Sequence, residues 1–441
     1  MRARAQKLWT EHRWATIGVA AGVGIIVIAA VGYLVLKRPG DKSCQGAACT
    51  ITRQAPQPVS GVANWPMYGL NPAHTRYLDS PGVKPPFSIR WRFKGGHLLE
   101  YSPILVDGVL YGINNDGLAF AVKADTGKAK WKQQIAHLNA SAPAYKQGNL
   151  YYSNLDPGQV VSLAGYDGHL IWKHPLPGRS ESSPLIVGNK VIVGCECNTI
   201  YALDWRNGKT LWQTHVNGAV KASPAYSNGI IYAGDYSGEM TALHASNGSI
   251  KWQTGSQGTS FGRSGQFYAT AAVAFGRIYA GNTDGRMYSF DQQTGKLIWS
   301  HSTSNYVYAG AVAARTPDTP PTIYFGSYDG NFYALDASNG NERWSQHNLG
   351  SISGAASLVG DTIYVADLQH TSTYGFDVRN GHRVLQYSDG AYNPVISDGR
   401  DIFLTGYKTI YALRPSTGPA VNGFVQKPQK PQKPQKPKKK G

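Results

Sequence analysis

Seven tryptophans recur at nearly equal steps along this chain: Trp91, Trp131, Trp172, Trp212, Trp252, Trp299 and Trp344. The steps are 40, 41, 40, 40, 47 and 45 residues, and Leu385 stands 41 residues beyond the last. A period of about 40–45 residues marks a β-propeller, in which each repeat builds one four-stranded blade. No single-core fold needs such a rhythm, so the period decides the architecture before any residue is given a role.

Within each period one phrase returns. Clear copies are Ser-Pro-Ala-Tyr (223–226), Ile-Ile-Tyr-Ala-Gly-Asp (230–235) and Tyr-Ala-Leu-Asp-Trp-Arg-Asn-Gly-Lys-Thr-Leu-Trp (201–212). Short runs of Tyr, Val, Ile and Trp between Gly, Asn and Asp read as hairpin-linked strands, here lettered A to D from the Ser-Pro segment to the Trp strand. Between C and D the pattern Ala-x-Asp-x3-Gly-Lys-x2-Trp is intact at Ala202, Asp204, Gly208, Lys209 and Trp212. The aspartate side chain can accept from backbone amides just ahead of it, and the glycine supplies positive φ. Each Trp is assigned to docking one blade on the next, since burying an indole removes about 150–250 Å² from water.

Hairpins of B and C strands occur eight times, around Tyr111, Tyr151, Ile192, Tyr232, Tyr279, Tyr324, Tyr364 and Phe403. The last, ending in Tyr411-Ala412-Leu413, has no D strand after it, whereas Ser88–Phe93 is a D strand with no blade before it. The two halves imply an all-β, eight-bladed propeller that an N-terminal strand closes, leaving only short protected edges.

The Ala-x-Asp-x3-Gly-Lys-x2-Trp phrase and the leader Asn64-Trp65-Pro66-Met67-Tyr68-Gly69 resemble the pyrroloquinoline-quinone (PQQ)-like propeller repeat family over residues 64–418. That family contains quinoprotein dehydrogenases and a non-enzymatic scaffold subunit of the outer-membrane protein assembly machinery. The nearly minimal blades are more similar to the scaffold, because the dehydrogenases carry long insertions. The resemblance implies the fold strongly and the function weakly.

The formal net charge of +17 would suggest nucleic acid were it spread over the body. Instead residues 1–38 carry +5 and the tail 426–441 carries +7 from seven lysines. The 22 uncharged residues from Ala15 to Leu36 suffice for a membrane-spanning helix, which needs about 20. The run exceeds a signal peptide's apolar core and ends without a small-x-small site. The expected layout is a cytoplasmic N-terminus (1–14), a signal anchor (15–36), a flexible linker (37–63), the propeller (64–418) and a Lys/Pro/Gln tail (419–441). The propeller would then stand on the extracytoplasmic side of a single-pass anchor. The tail reads either as a solvated segment or as an electrostatic arm for anionic envelope polymers, with polyproline II character in both cases.

Four cysteines form two close pairs, Cys44 with Cys49 and Cys195 with Cys197. An oxidising compartment permits two disulfides, and free thiols remain compatible with the sequence. The family's dehydrogenases have a disulfide between directly adjacent cysteines. Here Glu196 intervenes.

Loops joining D to A, and turns joining B to C, share one propeller face and frame the channel mouth. The residues singled out there for binding a ligand or partner are Glu100, Tyr101, Glu181, Lys221, Arg263, Tyr268, Tyr306 and Tyr392. Arg263 and Tyr268 belong to the longest D–A loop, Gly255–Tyr268. No catalytic set and no metal-ligand spacing is evident. The expectation is a membrane-tethered binding or assembly scaffold without a cofactor. Its partners would be envelope proteins or anionic envelope polymers, the membrane itself through the N-terminal helix, and not nucleic acid. The alternatives are a quinoprotein oxidoreductase using PQQ and calcium, and a sensor of a small molecule or glycan.

Overall fold

The computed structural model describes residues 63–258, 265–392 and 395–417. The predicted segments 1–14 and 15–36, nearly all of the linker, Cys44, Cys49, Arg263 and the tail lie outside the described residues. Among the described residues every regular element is a β-strand.

Eight four-stranded antiparallel blades follow in chain order at residues 104–134, 144–175, 185–215, 225–255, 272–302, 312–346, 357–387 and 395–415. The eighth takes its outer strand from Phe87–Lys94, which pairs with Thr409–Pro415 so that Trp91 faces Ala412. Inner strands of adjacent blades neighbour one another all the way round, the first against the eighth included. The closure expected from the unmatched strands is therefore present. Middle strands such as Ile230–Gly234 are buried throughout, so the apolar contacts run from blade to blade.

The tryptophan period has a specific cause in the packing. In every blade the outer strand carries a one-residue bulge just before the Trp position, as at Leu211 beside Trp212. A bulge re-aims the following side chain, here toward the next blade. Each ring then lies against the C–D turn glycine of that blade: Trp91 on Gly127, Trp172 on Gly208, Trp212 on Gly248 and Trp344 on Gly381. Six of the seven indole N–H groups also donate to a carbonyl of that same turn region, for instance Trp172 to Trp205 at 3.0 Å and Trp344 to Val378 at 2.9 Å. The exception to the period has the same explanation. Blade eight joins its last two strands from opposite ends of the chain and has no C–D turn to receive a ring. Leu385, the residue that faces it, is buried as a smaller apolar group.

The leader does more than precede the ring. An inner strand pairs with its blade on one edge only, and the axial edge keeps backbone groups that need partners. Residues 63–78 supply them. Ala63 donates to Asp398 of blade eight, and Trp65 exchanges bonds with Leu105 of blade one. The carbonyls of Pro66, Pro72, Ala73, Thr75 and Arg76 accept from Tyr145, Tyr226, Val273, Ala313 and Leu358, in blades two, four, five, six and seven. Met67 joins the apolar cluster of blade three. Tyr77–Leu78 adds a short parallel fifth strand to blade seven. The leader thus lines the axis and is bonded to seven of the eight blades, a role not visible in the sequence reading.

Candidate functional site at the channel mouth

The D–A loops and B–C turns do converge on one face. Glu181 comes from the loop before blade three, Lys221 from the loop before blade four and Glu196 from the B–C turn of blade three. Lys221 Nζ lies 3.0 Å from Glu181 Oε1 and 3.4 Å from Glu196 Oε1. The hydroxyl of Tyr268, from the loop before blade five, donates to Glu181 Oε2 at 3.0 Å. Both carboxylate oxygens of Glu181 are thereby engaged by neighbouring loops.

Aromatic rings extend this network around the mouth. Tyr268 meets Tyr308 edge to face at 5.1 Å, and Tyr308 meets Tyr306 at 5.5 Å and Tyr328 at 4.9 Å. Such T-shaped pairs are worth about 0.5–1.5 kcal/mol beyond their buried area. On the other side, Tyr236 approaches Tyr268 at 6.3 Å and lies beneath Lys221 Nζ at 5.4 Å. All of these rings are half-buried, so each offers a face or an edge to solvent.

Cys195 and Cys197 are joined by a disulfide, which clamps the turn that presents Glu196. Burial raises the Glu196 carboxyl above the ordinary glutamate range; Lys221 opposes this and Glu181 adds to it.

The remaining selected residues make other contacts. Tyr101 packs edge-on against Tyr68 of the leader at 5.2 Å. Glu100 is buried and accepts from the Asn115 amide at 3.4 Å. Tyr392, half-buried in the loop before blade eight, passes its backbone close to Gly354. Sequence reading missed Glu196, Tyr236, Tyr328 and Tyr68 as contributors. A signal existed for two of them: Gly-Asp-Tyr-Ser-Gly (234–238) and Gly-Ser-Tyr-Asp-Gly (326–330) put a tyrosine at the tip of the same B–C turn.

A cleft of about 460 Å³ lies on the opposite face, between blades six and seven, lined by Asp318, Asp336, Arg343, Trp344 and Arg379 among others. Its charged groups are largely paired, Arg343 with Asp336 and Arg379 with Asp377. The mouth is therefore the better candidate, because four loops and three turns meet there.

The family model described as outer membrane protein assembly factor BamB matches residues 115–345 and 196–421. BamB from Moraxella catarrhalis superposes with a TM-score of 0.63 at 18% identity, over 75% of this chain and all of that one. A quinohemoprotein alcohol dehydrogenase, ADHIIG of Pseudomonas putida, superposes with a TM-score of 0.68 at 14% identity, covering 84% and 83% of the two chains. At such identities the likeness shows the fold alone. A tetrathionate hydrolase of Acidithiobacillus ferrooxidans is 28% identical over 94 residues, which is 21% of this chain and 19% of that protein.

Proposed function

From the premise that this chain belongs to the family of the outer membrane protein assembly factor BamB, we propose that it is a binding or assembly scaffold of the cell envelope. One observation carries this reading. The best placed acid of the mouth, Glu181, is tied through both oxygens to Lys221 and Tyr268, and so serves to fix a tyrosine-rich platform. Rigid aromatic groups lose little side-chain entropy on binding and are favoured where proteins recognise one another. In this reading the segment 15–36 anchors the chain and the linker holds the ring off the membrane, with the mouth turned toward envelope proteins or anionic envelope polymers.

A quinoprotein oxidoreductase would need calcium held by several hard oxygen ligands beside the quinone. Among the described residues no three His, Cys, Asp or Glu side chains converge on one position.

The test is a photo-crosslinking residue placed at Tyr306 in the mouth or at Tyr166, an exposed position on the C–D turn of blade two and hence on the opposite face. The expected result is a discrete envelope protein or polymer adduct from position 306 and none from 166. In parallel, PQQ with calcium should leave the melting temperature of the full chain unchanged. A chelator-sensitive upward shift would replace the scaffold with the enzyme, since ligand at a hundredfold excess over Kd adds about 2.7 kcal/mol.

A further inference from the structure

Arg76 is an unusual residue to find on the axis of a propeller. It belongs to the leader, its backbone adopts a φ of 58°, and its carbonyl is fixed by Leu358 of blade seven. The residue is only 3% exposed. Its guanidinium carbon lies 4.0 Å from the centroid of Tyr68, so the ring covers one flat face of the cation. Among the described residues neither Nε nor Nη2 has a hydrogen-bond partner, and no carboxylate forms an ion pair with it. Burying the N–H groups of a cation without partners is costly.

The two unpartnered atoms are not a random pair. Nε and Nη2 occupy one edge of the guanidinium plane and present two nearly parallel N–H groups, the fork that a carboxylate meets with both oxygens. At one point that edge is closely bordered by a glycine. A Cβ on Gly310 would stand 3.2 Å from Nη2, 3.1 Å from the Thr270 carbonyl and 3.4 Å from Ala355 Cβ. Gly310 is not among the glycines with positive φ, so its backbone does not demand glycine. Its missing side chain serves space. Thr270 and Gly310 also lie two residues beyond Tyr268 and Tyr308 on the same segments, which run inward from the mouth.

We infer that Arg76, flanked by Tyr68 and bordered by Gly310, forms a carboxylate-binding site on the propeller axis beneath the aromatic mouth, the occupant displacing the Gly310 segment from the fork. The occupant is either a small free carboxylate or the C-terminal carboxylate of a peptide segment that enters past Tyr101 and Tyr308. The site stands whether or not the mouth docks an envelope protein. Phosphate and chloride match the fork less well: one is tetrahedral and the other has a single centre.

The experiment uses the full-length chain and 13C-labelled formate, followed by NMR line broadening at constant ionic strength held with chloride. Saturable formate binding is expected, weakened at least about tenfold in Arg76→Lys, which keeps the charge and loses the fork. Gly310→Ala should weaken it as well, and it decides the matter if the Arg76 variant does not fold. Displacement by a short peptide with a free C-terminus, but not by its amide, identifies a chain end as the occupant. Displacement by acetate and by neither peptide form identifies a small acid. Absence of saturable binding in the wild type would overturn the site. Equal binding in Arg76→Lys, phosphate competing as well as acetate, or a crystal grown in formate with only water at the fork would do the same.

Discussion

Arg90 Nη1 lies 2.6 Å from Asp401 Oδ2, joining residues 311 apart in sequence. Arg90 is the bulge residue of the closing strand, and Asp401 is a nearly inaccessible carboxylate in the A–B turn of blade eight. Arg414 adds a second guanidinium, with Nε on the other oxygen at 2.7 Å. One carboxylate thus pins both strands of the joint where the chain's two ends meet. Asp401→Ala should lower stability by about 2–4 kcal/mol, toward the lower part of the range for a broken buried pair because both arginines can turn to water. Urea denaturation measures this directly.

Deleting residues 61–94 removes the closing strand and the axial leader together. The remaining ring would expose the edge of Thr409–Pro415 and the axial edges of its inner strands. The expected outcome is loss of cooperative melting in the whole body. A truncated protein that melts like the parent would show that closure contributes little.

Trp212 and Gly248 provide a test of the inter-blade joint. Trp212→Ala should cost about 3–5 kcal/mol through the cavity it leaves. Gly248→Ala places a Cβ 2.5 Å from the Trp212 ring at a φ of 76°, so it suffers both a clash and backbone strain. In the double variant the ring is gone and its part of the clash with it, while the contact with Thr214 Oγ1 at 2.7 Å stays. The two costs should therefore fall short of adding by at least about 1 kcal/mol in a double-mutant cycle. Simple additivity would mean that the ring does not rest on the turn.

The architecture was legible because it repeats. Every Trp needs a C–D turn ahead of it, so spacing, blade count and the Leu385 exception all express one packing rule. The leader escaped because it meets seven of the blades through one or two backbone bonds each, and backbone bonds leave little trace in side-chain pattern. Its three non-glycine residues with positive φ, Leu70, His74 and Arg76, follow a path that propensity would not choose. At the mouth, D–A loops were selected by position and yielded Glu181, Lys221, Tyr268 and Tyr306. Glu196 was read only as the spacer between two cysteines. The disulfide makes that spacer a presented side chain.

Glu196 predicts one pH effect. Its folded pKa is raised above the ordinary glutamate value, mainly by burial. The folded state therefore binds the proton more tightly, and the associated stability is full below the ordinary value and lost as pH rises through the folded one. Glu196→Gln should flatten the stability profile in that interval and leave its slope unchanged at neutral pH and above. Melting curves of variant and parent over about pH 4 to 8 give the difference. A parallel pair of profiles would mean that Lys221 cancels the burial cost.

His74 predicts the opposite slope. It is buried in the leader, bonded through Nε2 to the Pro224 carbonyl at 2.9 Å, and held neutral. Burial, with the Arg76 charge second, pushes its pKa down from 6.5 to about 3. The unfolded chain takes up a proton at this residue below 6.5 while the folded chain does not, so stability is full above that value and falls as pH drops toward the folded one. The slope contributed is at most about 1.4 kcal/mol per pH unit. His74→Gln keeps a polar side chain and removes the titration. Its stability should therefore decline less between about pH 6 and 4 than that of the parent, even if it begins lower. Because the leader is bonded to seven of the eight blades, the loss should appear as one cooperative transition of the ring. Local acid release of the leader, seen as early hydrogen exchange at Leu105 and Val273 with the blades intact, would show that the plug and the ring unfold separately.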